Sequence, residues 1–177
     1  MKKVTGIIFA TVLLALVGCD DKNAASSASS SGGNIAAKPE TLSSDNKADI
    51  KSDLDALNSI MNESNSAADK LREDLVNAAK NQDLDALKKA YETGKSHIEK
   101  TNEQLLALTV KSKEVQDIRV KIYAGNKIAA DLIELAKKGP DLSEDDKKQM
   151  MLLQKQSVAM QADYGQKLDK LNAEHNK

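Results

Sequence analysis

The sequence predicts an all-α fold, an up-down-up-down four-helix bundle, on three observations. Turn-formers are scarce, with 8 Gly and 2 Pro in 177 residues. Aromatic residues make up 2% of the chain and there is one Cys. That composition argues against a β-sandwich or a disulfide framework. From about Asn46 onward apolar residues recur in alternating steps of three and four, the spacing that places them on one face of an α-helix. With 40% hydrophobic and 30% charged residues, one soluble domain has enough apolar side chain for a core.

The chain begins with a different kind of segment. Lys2 and Lys3 form a basic start, and residues 6–17 form an apolar run broken only by Thr11. This is the pattern of a secretory signal. A run of about twelve residues is too short to span a bilayer, which takes ~20. Leu16, Val17, Gly18 and Cys19 close the run, and a small residue before a cysteine directly after the apolar stretch resembles the lipobox of bacterial lipoproteins. The resemblance implies cleavage before Cys19, a lipid on its sulfur and an acyl group on the new amino terminus. Two or three acyl chains at ~0.8 kcal/mol per buried CH₂ hold far more firmly than one. Asp20 and Asp21 follow, and their position resembles the sorting signal that retains enterobacterial lipoproteins in the inner membrane. The resemblance therefore implies the periplasmic face of that membrane, with the outer membrane as the other destination.

Three segments result: a signal peptide over 1–18, a lipidated Cys and spacer over 19–44, and the helical domain over 45–177. Residues 23–40 are rich in Ser, Ala and Gly and lack the apolar periodicity that offsets ordering entropy. They are expected to act as a flexible tether, whose roughly 23 residues would reach about 25 Å from the lipid.

Helix 1 carries Ile50, Leu54, Leu57, Met61, Ser64, Ala68, Leu71, Leu75 and Ala78 on one stripe, with a possible kink at residues 62–66. Helix 2 carries Leu84, Leu87, Tyr91, Gly94, Ile98, Thr101, Leu105 and Leu108. Helix 3 carries Val115, Ile118, Ile122, Gly125, Ala129, Leu132 and Ala136. Helix 4 carries Met150, Leu153, Ser157, Met160 or Gln161, Tyr164, Leu168, Leu171 and His175, with a phase slip near 160. Asp83 and Ser112 are placed to cap helices 2 and 3, Gly139 and Pro140 end helix 3, and Ser143 to Asp146 form a capping box for helix 4. Such short connections make neighbouring helices antiparallel. The expected lengths are about 35, 25, 25 and 32 residues, and Ile50, Leu54 and Leu57 are expected beside Leu168 and Leu171 at the tether end.

Small residues sit in the middle of the stripes: Ser64, Gly94, Thr101, Gly125, Ala129 and Ser157. They allow either close backbone approach or a pocket lined by Tyr91, Tyr123 and Met61. Other apolar residues fall off the stripes. At 100° per residue, Val120 lies about 160° and Leu135 about 100° from the centre of helix 3's stripe, and Met151, Leu152 and Val158 lie more than about 100° from helix 4's core direction. These five form a candidate partner face.

Several chemistries are excluded. No phosphate loop, dinucleotide fingerprint, zinc-protease helix or nucleophile elbow is present, so no catalytic residues and no metal site are assigned. His97 falls at the flank of helix 2 and His175 near the end of helix 4, neither beside a serine and a carboxylate. The Asp and Glu residues fall mostly off the core stripes. A Met near the start and a His near the end of such a bundle resembles the four-helix cytochromes that hold haem between those residues. Here Met61 lies about 11 to 12 residues beyond the part of helix 1 that His175 faces, ~17 Å along the axis. The two cannot share an iron, and no cofactor is expected. Met150, Met151 and Met160 read as core filling rather than a copper site. Without Lys2 and Lys3 the mature chain is slightly acidic, since the 26 Lys and Arg fall by two against 27 Asp and Glu. It lacks Phe and Trp, and nucleic acid is excluded as a partner. The reading is a membrane-anchored, non-enzymatic lipoprotein whose helical domain docks an envelope protein or its own copies. The alternative is a small-ligand sensor or carrier with a pocket in the bundle middle.

Overall fold

The computed structural model describes Ile35 and residues 41–175. Four helices follow in order, α1 (Lys47–Lys80), α2 (Leu84–Ala107), α3 (Lys113–Lys137) and α4 (Glu144–His175). Their lengths of 34, 24, 25 and 32 residues match the spacing of the stripes. The antiparallel pairs α1–α2 and α3–α4 pack along their length, α2 also packs on α3, and α1 meets α4 more sparsely.

Local signals set the boundaries. Asn46 caps α1, its side chain accepting from the backbone N–H of Ala48 and Asp49, which offsets donors that a helix start leaves unpaired. α1 runs through residues 62–66 without a break. It stops where Gln82 adopts a left-handed conformation at φ 54°, and the Asp83 side chain accepts from Ala86 N–H at 2.9 Å to start α2. After α3 a single 3-10 turn, Gly139–Asp141, changes direction. Gly139 sits at φ 56°, which a residue without Cβ adopts at no steric cost. The Ser143 hydroxyl accepts from Asp146 N–H at 3.1 Å while the Asp146 carboxylate accepts from Ser143 N–H at 3.1 Å, a reciprocal cap for α4.

The larger core cluster lies at the tether end. Ile50, Leu54 and Leu57 of α1 pack with Leu105, Val110, Val115, Ile118 and Ile122, and Leu168 and Leu171 of α4 close it. A smaller cluster of Leu71, Leu75 and Ala90 occupies the other end, with Leu87 and Tyr91 against it.

Two stripe assignments and one polar residue are corrected by the packing. Leu84, placed on the stripe of helix 2, is 67% exposed because it opens the helix at the tip of the α1–α2 hairpin. Near the end of α3 the buried residues are Ile133 and Leu135, while Leu132 is only half-buried. There α3 packs on α2 around Gly94 and turns into α4, so its covered arc widens beyond a single stripe. Asp53, left off the helix 1 stripe but flanking it beside Leu54, is 2% exposed.

Candidate functional site

Two surfaces and one buried network distinguish this bundle. The first surface is the outer side of α4. Met150 and Ser157 are the residues of α4 that are buried, whereas Met151, Leu152 and Val158 are 45%, 46% and 52% exposed. Leu153, Tyr164, Leu168 and Leu171 on its inner side are half-buried, so the exposed apolar residues stand on the opposite side. Of the five residues predicted for a partner face, these three stand in the open and on one helix. Leu135 does not belong with them, being 7% exposed and enclosed where α3 turns into α4. Val120 is half-buried on α3. The face is therefore narrower than the sequence suggests and belongs to α4.

The buried network lies at the tether end, where the α2–α3 connection crosses α1. The Asp53 carboxylate accepts three hydrogen bonds, from Lys111 N–H at 2.9 Å, Ser112 N–H at 2.7 Å and the Ser112 hydroxyl at 2.7 Å. Ser112 thus stands at the N-cap position of α3 without capping it, because its hydroxyl is given to Asp53. Nearly two turns into α3, Arg119 donates to the carbonyls of Leu108 and Ile35. Gln116 donates to the same Ile35 carbonyl at 2.9 Å. Burial pulls the Arg119 guanidinium below its usual range, and the charge of Asp53 opposes that shift.

This network also touches the segment predicted as a free tether. Ile35 is 4% exposed, and Ser43 pairs by its backbone with the α2–α3 connection, donating to Lys111 O at 2.8 Å and accepting from Lys113 N–H at 3.0 Å. Both residues fall within 19–44, and both are docked on the bundle. No periodicity marks a single isoleucine as buried, and Asp53, Gln116 and Arg119 read as solvent-facing by composition. The available signal was their phase, next to Leu54, Val115 and Ile118 on the stripes.

The small-residue middle is closed by contact. A Cβ on Gly94 would stand 2.6 Å from Leu71 Cδ2 and 3.4 Å from Ile133 Cδ1, and one on Gly125 would stand 3.5 Å from Met160 Sδ. The glycines therefore serve close packing, the first of the two roles their spacing allows. A cleft of about 330 Å³ opens elsewhere, between the end of α1 and the start of α2, lined by Asp74, Asn77, Asn81, Asp83, Lys89 and Thr93 among others.

Apart from Arg119, the titratable groups with shifted pKa values are partners in ion pairs or phenols removed from water. A hydrogen bond to Asp163 at 2.5 Å holds the Lys121 ammonium well above its usual range, and Asp163 is lowered in return. Lys138 and Ser143 hold the Asp146 carboxyl down at about 2. Burial pushes the Tyr164 phenol up to about 12. Among the described residues no three His, Cys, Asp or Glu side chains are grouped to hold a metal ion, and no helix is long and apolar enough to cross a membrane. His97 on α2 and His175 at the end of α4 are half-buried. The predicted lipidation residue Cys19, the sorting residues Asp20 and Asp21 and the signal peptide lie outside the described residues.

No curated protein and no solved structure matches the chain. A family model described as uncharacterised lipoprotein PM1805 matches residues 51–176, nearly the whole of the four helices. The chain belongs to that family and is a lipid-anchored lipoprotein of the cell envelope.

Proposed function

We propose that this lipoprotein acts without catalysis, as a docking module that holds another envelope protein, or a second copy of itself, near a membrane. In this reading acylated Cys19 inserts in the bilayer, and Asp20 and Asp21 keep the protein at the periplasmic face of the inner membrane. The bundle provides a rigid rod, and the outer side of α4 provides the contact. The observation that carries the proposal is the exposure of Met151, Leu152 and Val158 on a helix whose inner side already packs on α3. Tight packing around Gly94 and Gly125 weighs against the pocket that a carrier would need.

The test is Val158→Lys in the full-length protein. Because Val158 is half in solvent, the melting temperature should change little, by the equivalent of ~0.5 kcal/mol or less. Burying such a side chain at an interface contributes ~1.5 to 3 kcal/mol, so association in sedimentation, or co-purification from solubilised envelopes, should weaken about ten-fold or more. A large loss of melting temperature with unchanged association would place Val158 in the core and end the proposal.

A further inference from the structure

α4 carries a line of exposed residues whose spacing is the same read in either direction. Met151, Lys155, Val158, Ala162, Gln166, Asp169 and Ala173 are all exposed, and at 100° per residue they fall within about 40° of one line along the helix. The steps between them are 4, 3, 4, 4, 3 and 4, symmetric about Ala162. Two antiparallel copies of α4 related by a two-fold axis at Ala162 therefore meet residue against residue, as a self-complementary interface requires. Met151 falls opposite Ala173 of the second copy, Val158 opposite Gln166 and Lys155 opposite Asp169, each pair occurring twice. Ala162 meets its own counterpart, and so small a side chain at the crossing lets the two helices approach closely.

The charges select this orientation. Lys155 and Asp169 make no ion pair among the described residues, although their neighbours on α4 do: Lys148 with Asp145 at 3.3 Å, Asp163 with Lys121 at 2.5 Å and Lys167 with Asp117 at 2.8 Å. Antiparallel pairing gives Lys155 and Asp169 opposite charges across the interface. Parallel pairing in register sets Lys155 against Lys155 and Asp169 against Asp169, and like charges so placed repel.

We propose that the partner held on the outer side of α4 is a second copy of this chain, paired antiparallel through α4 about Ala162. The proposal rests on the docking reading above and names its partner. A contact between two single helices lies at the low end of interface sizes, below ~1,200 Å² in total, where association is weak and reversible. Confinement of both copies to one membrane raises their effective concentration and favours the pair. The antiparallel order puts the two α1 starts at opposite ends, so the paired bundles lie along that membrane.

Cysteine pairing in the full-length lipidated protein in phospholipid vesicles tests this, since the one native cysteine is Cys19. Under mild oxidation Ala162→Cys should form a disulfide-linked dimer. Lys155→Cys and Asp169→Cys should each stay monomeric alone and should cross-link to each other when one carries a size tag and the two share a vesicle. In sedimentation of the detergent-solubilised chain, Lys155→Asp should weaken self-association about ten-fold, and adding Asp169→Lys to the same chain should restore it. Cross-linking of Lys155→Cys to itself, no dimer from Ala162→Cys, or no rescue by the double reversal would overturn the proposal. If self-association is absent while Val158→Lys still lowers co-purification of an envelope protein, the docking reading stands and the second copy is ruled out as its partner. The docking reading itself falls on the other result, a lower melting temperature with unchanged association in Val158→Lys.

Discussion

At the tether end, side chains from all four helices close over Leu54, Leu57, Val115 and Ile118, each 0% exposed. At the opposite end the cluster is three residues, Leu71, Leu75 and Ala90, and Val76, Leu84, Met151 and Leu152 stand in solvent around it. The helical rhythm is the same at both ends, so periodicity alone does not determine how deeply a stripe is buried. The ends differ in what lies across the helices. At the tether end the α2–α3 connection and the pre-α1 segment are fixed to the bundle by Asp53, Gln116 and Arg119. At the other end two tight turns join the hairpins, and the polar contacts that cross from α2 to α3 are the solvent-exposed ion pairs Lys95–Glu134 at 2.8 Å and Lys137–Glu92 at 3.9 Å. The larger buried cluster lies at the end where the chain enters α1, and the exposed large apolar residues other than Leu106 lie away from it.

The sharpest test of that contrast is Asp53→Ala. It leaves two backbone N–H groups and a hydroxyl without their acceptor and Arg119 without its nearby counter-charge, at an expected cost of about 3 to 5 kcal/mol. Asp74→Ala, at the exposed far end, should stay within ~0.5 kcal/mol of no effect. Urea melts of the domain with Ile35 retained would measure both, and equal losses would remove the distinction between the ends.

Glycine substitutions sharpen it further. Gly94→Ala drives a methyl to 2.6 Å from Leu71 Cδ2. Overpacking of ~1 to 3 kcal/mol outweighs a helix-propensity gain of up to ~1, for a net loss of as much as ~2 kcal/mol. Nothing lies within 4 Å of a Cβ built on Gly165, so Gly165→Ala should stabilise by ~0.5 to 1 kcal/mol. The reverse order in the same melts would mean that α1–α2 packing near Gly94 is loose.

The smallest effect concerns the cap of α4 at the far end. Lys138 and Ser143 lower the Asp146 carboxyl to about 2, so its contribution to stability is fully present above the usual carboxylate range and is lost as pH falls through the folded value. Melting temperatures of the native chain and Asp146→Asn should differ by a constant amount near neutral pH. That gap should narrow as the pH falls from about 4 toward 2. A gap undiminished at pH 2 would show that the carboxylate charge does not hold the cap.

Much of the fold was legible before any packing was known. Asp83, Ser143 and Asp146 announced helix starts because short polar side chains satisfy the free N–H groups there. Ile50, Leu54 and Leu57 beside Leu168 and Leu171 followed from helix order and length alone. The candidate site was legible in part: Met151, Leu152 and Val158 were found from their phase, while Leu135 was misplaced by the same rule. A residue 100° off a stripe is exposed along an isolated helix side but covered where a third segment crosses, and the sequence pattern of one helix carries no record of that crossing. Asp53, Gln116 and Arg119 escaped for a related reason. Their type predicts solvent, and their burial is tolerable only because backbone groups distant in sequence complete their hydrogen bonds.

The sequence by itself determined the four helices, their boundaries and antiparallel order, and the likeness of residues 16–19 to a lipobox, since each depends on interactions among residues close along the chain. Only the tertiary structure decided how wide each buried face is, which apolar residues of α3 and α4 are left outside, and that Ile35 docks on α3. Those outcomes depend on groups brought together across separations such as the 84 residues between Ile35 and Arg119, where local propensity has no influence and only the geometry of the assembled helices decides which donors and apolar surfaces meet.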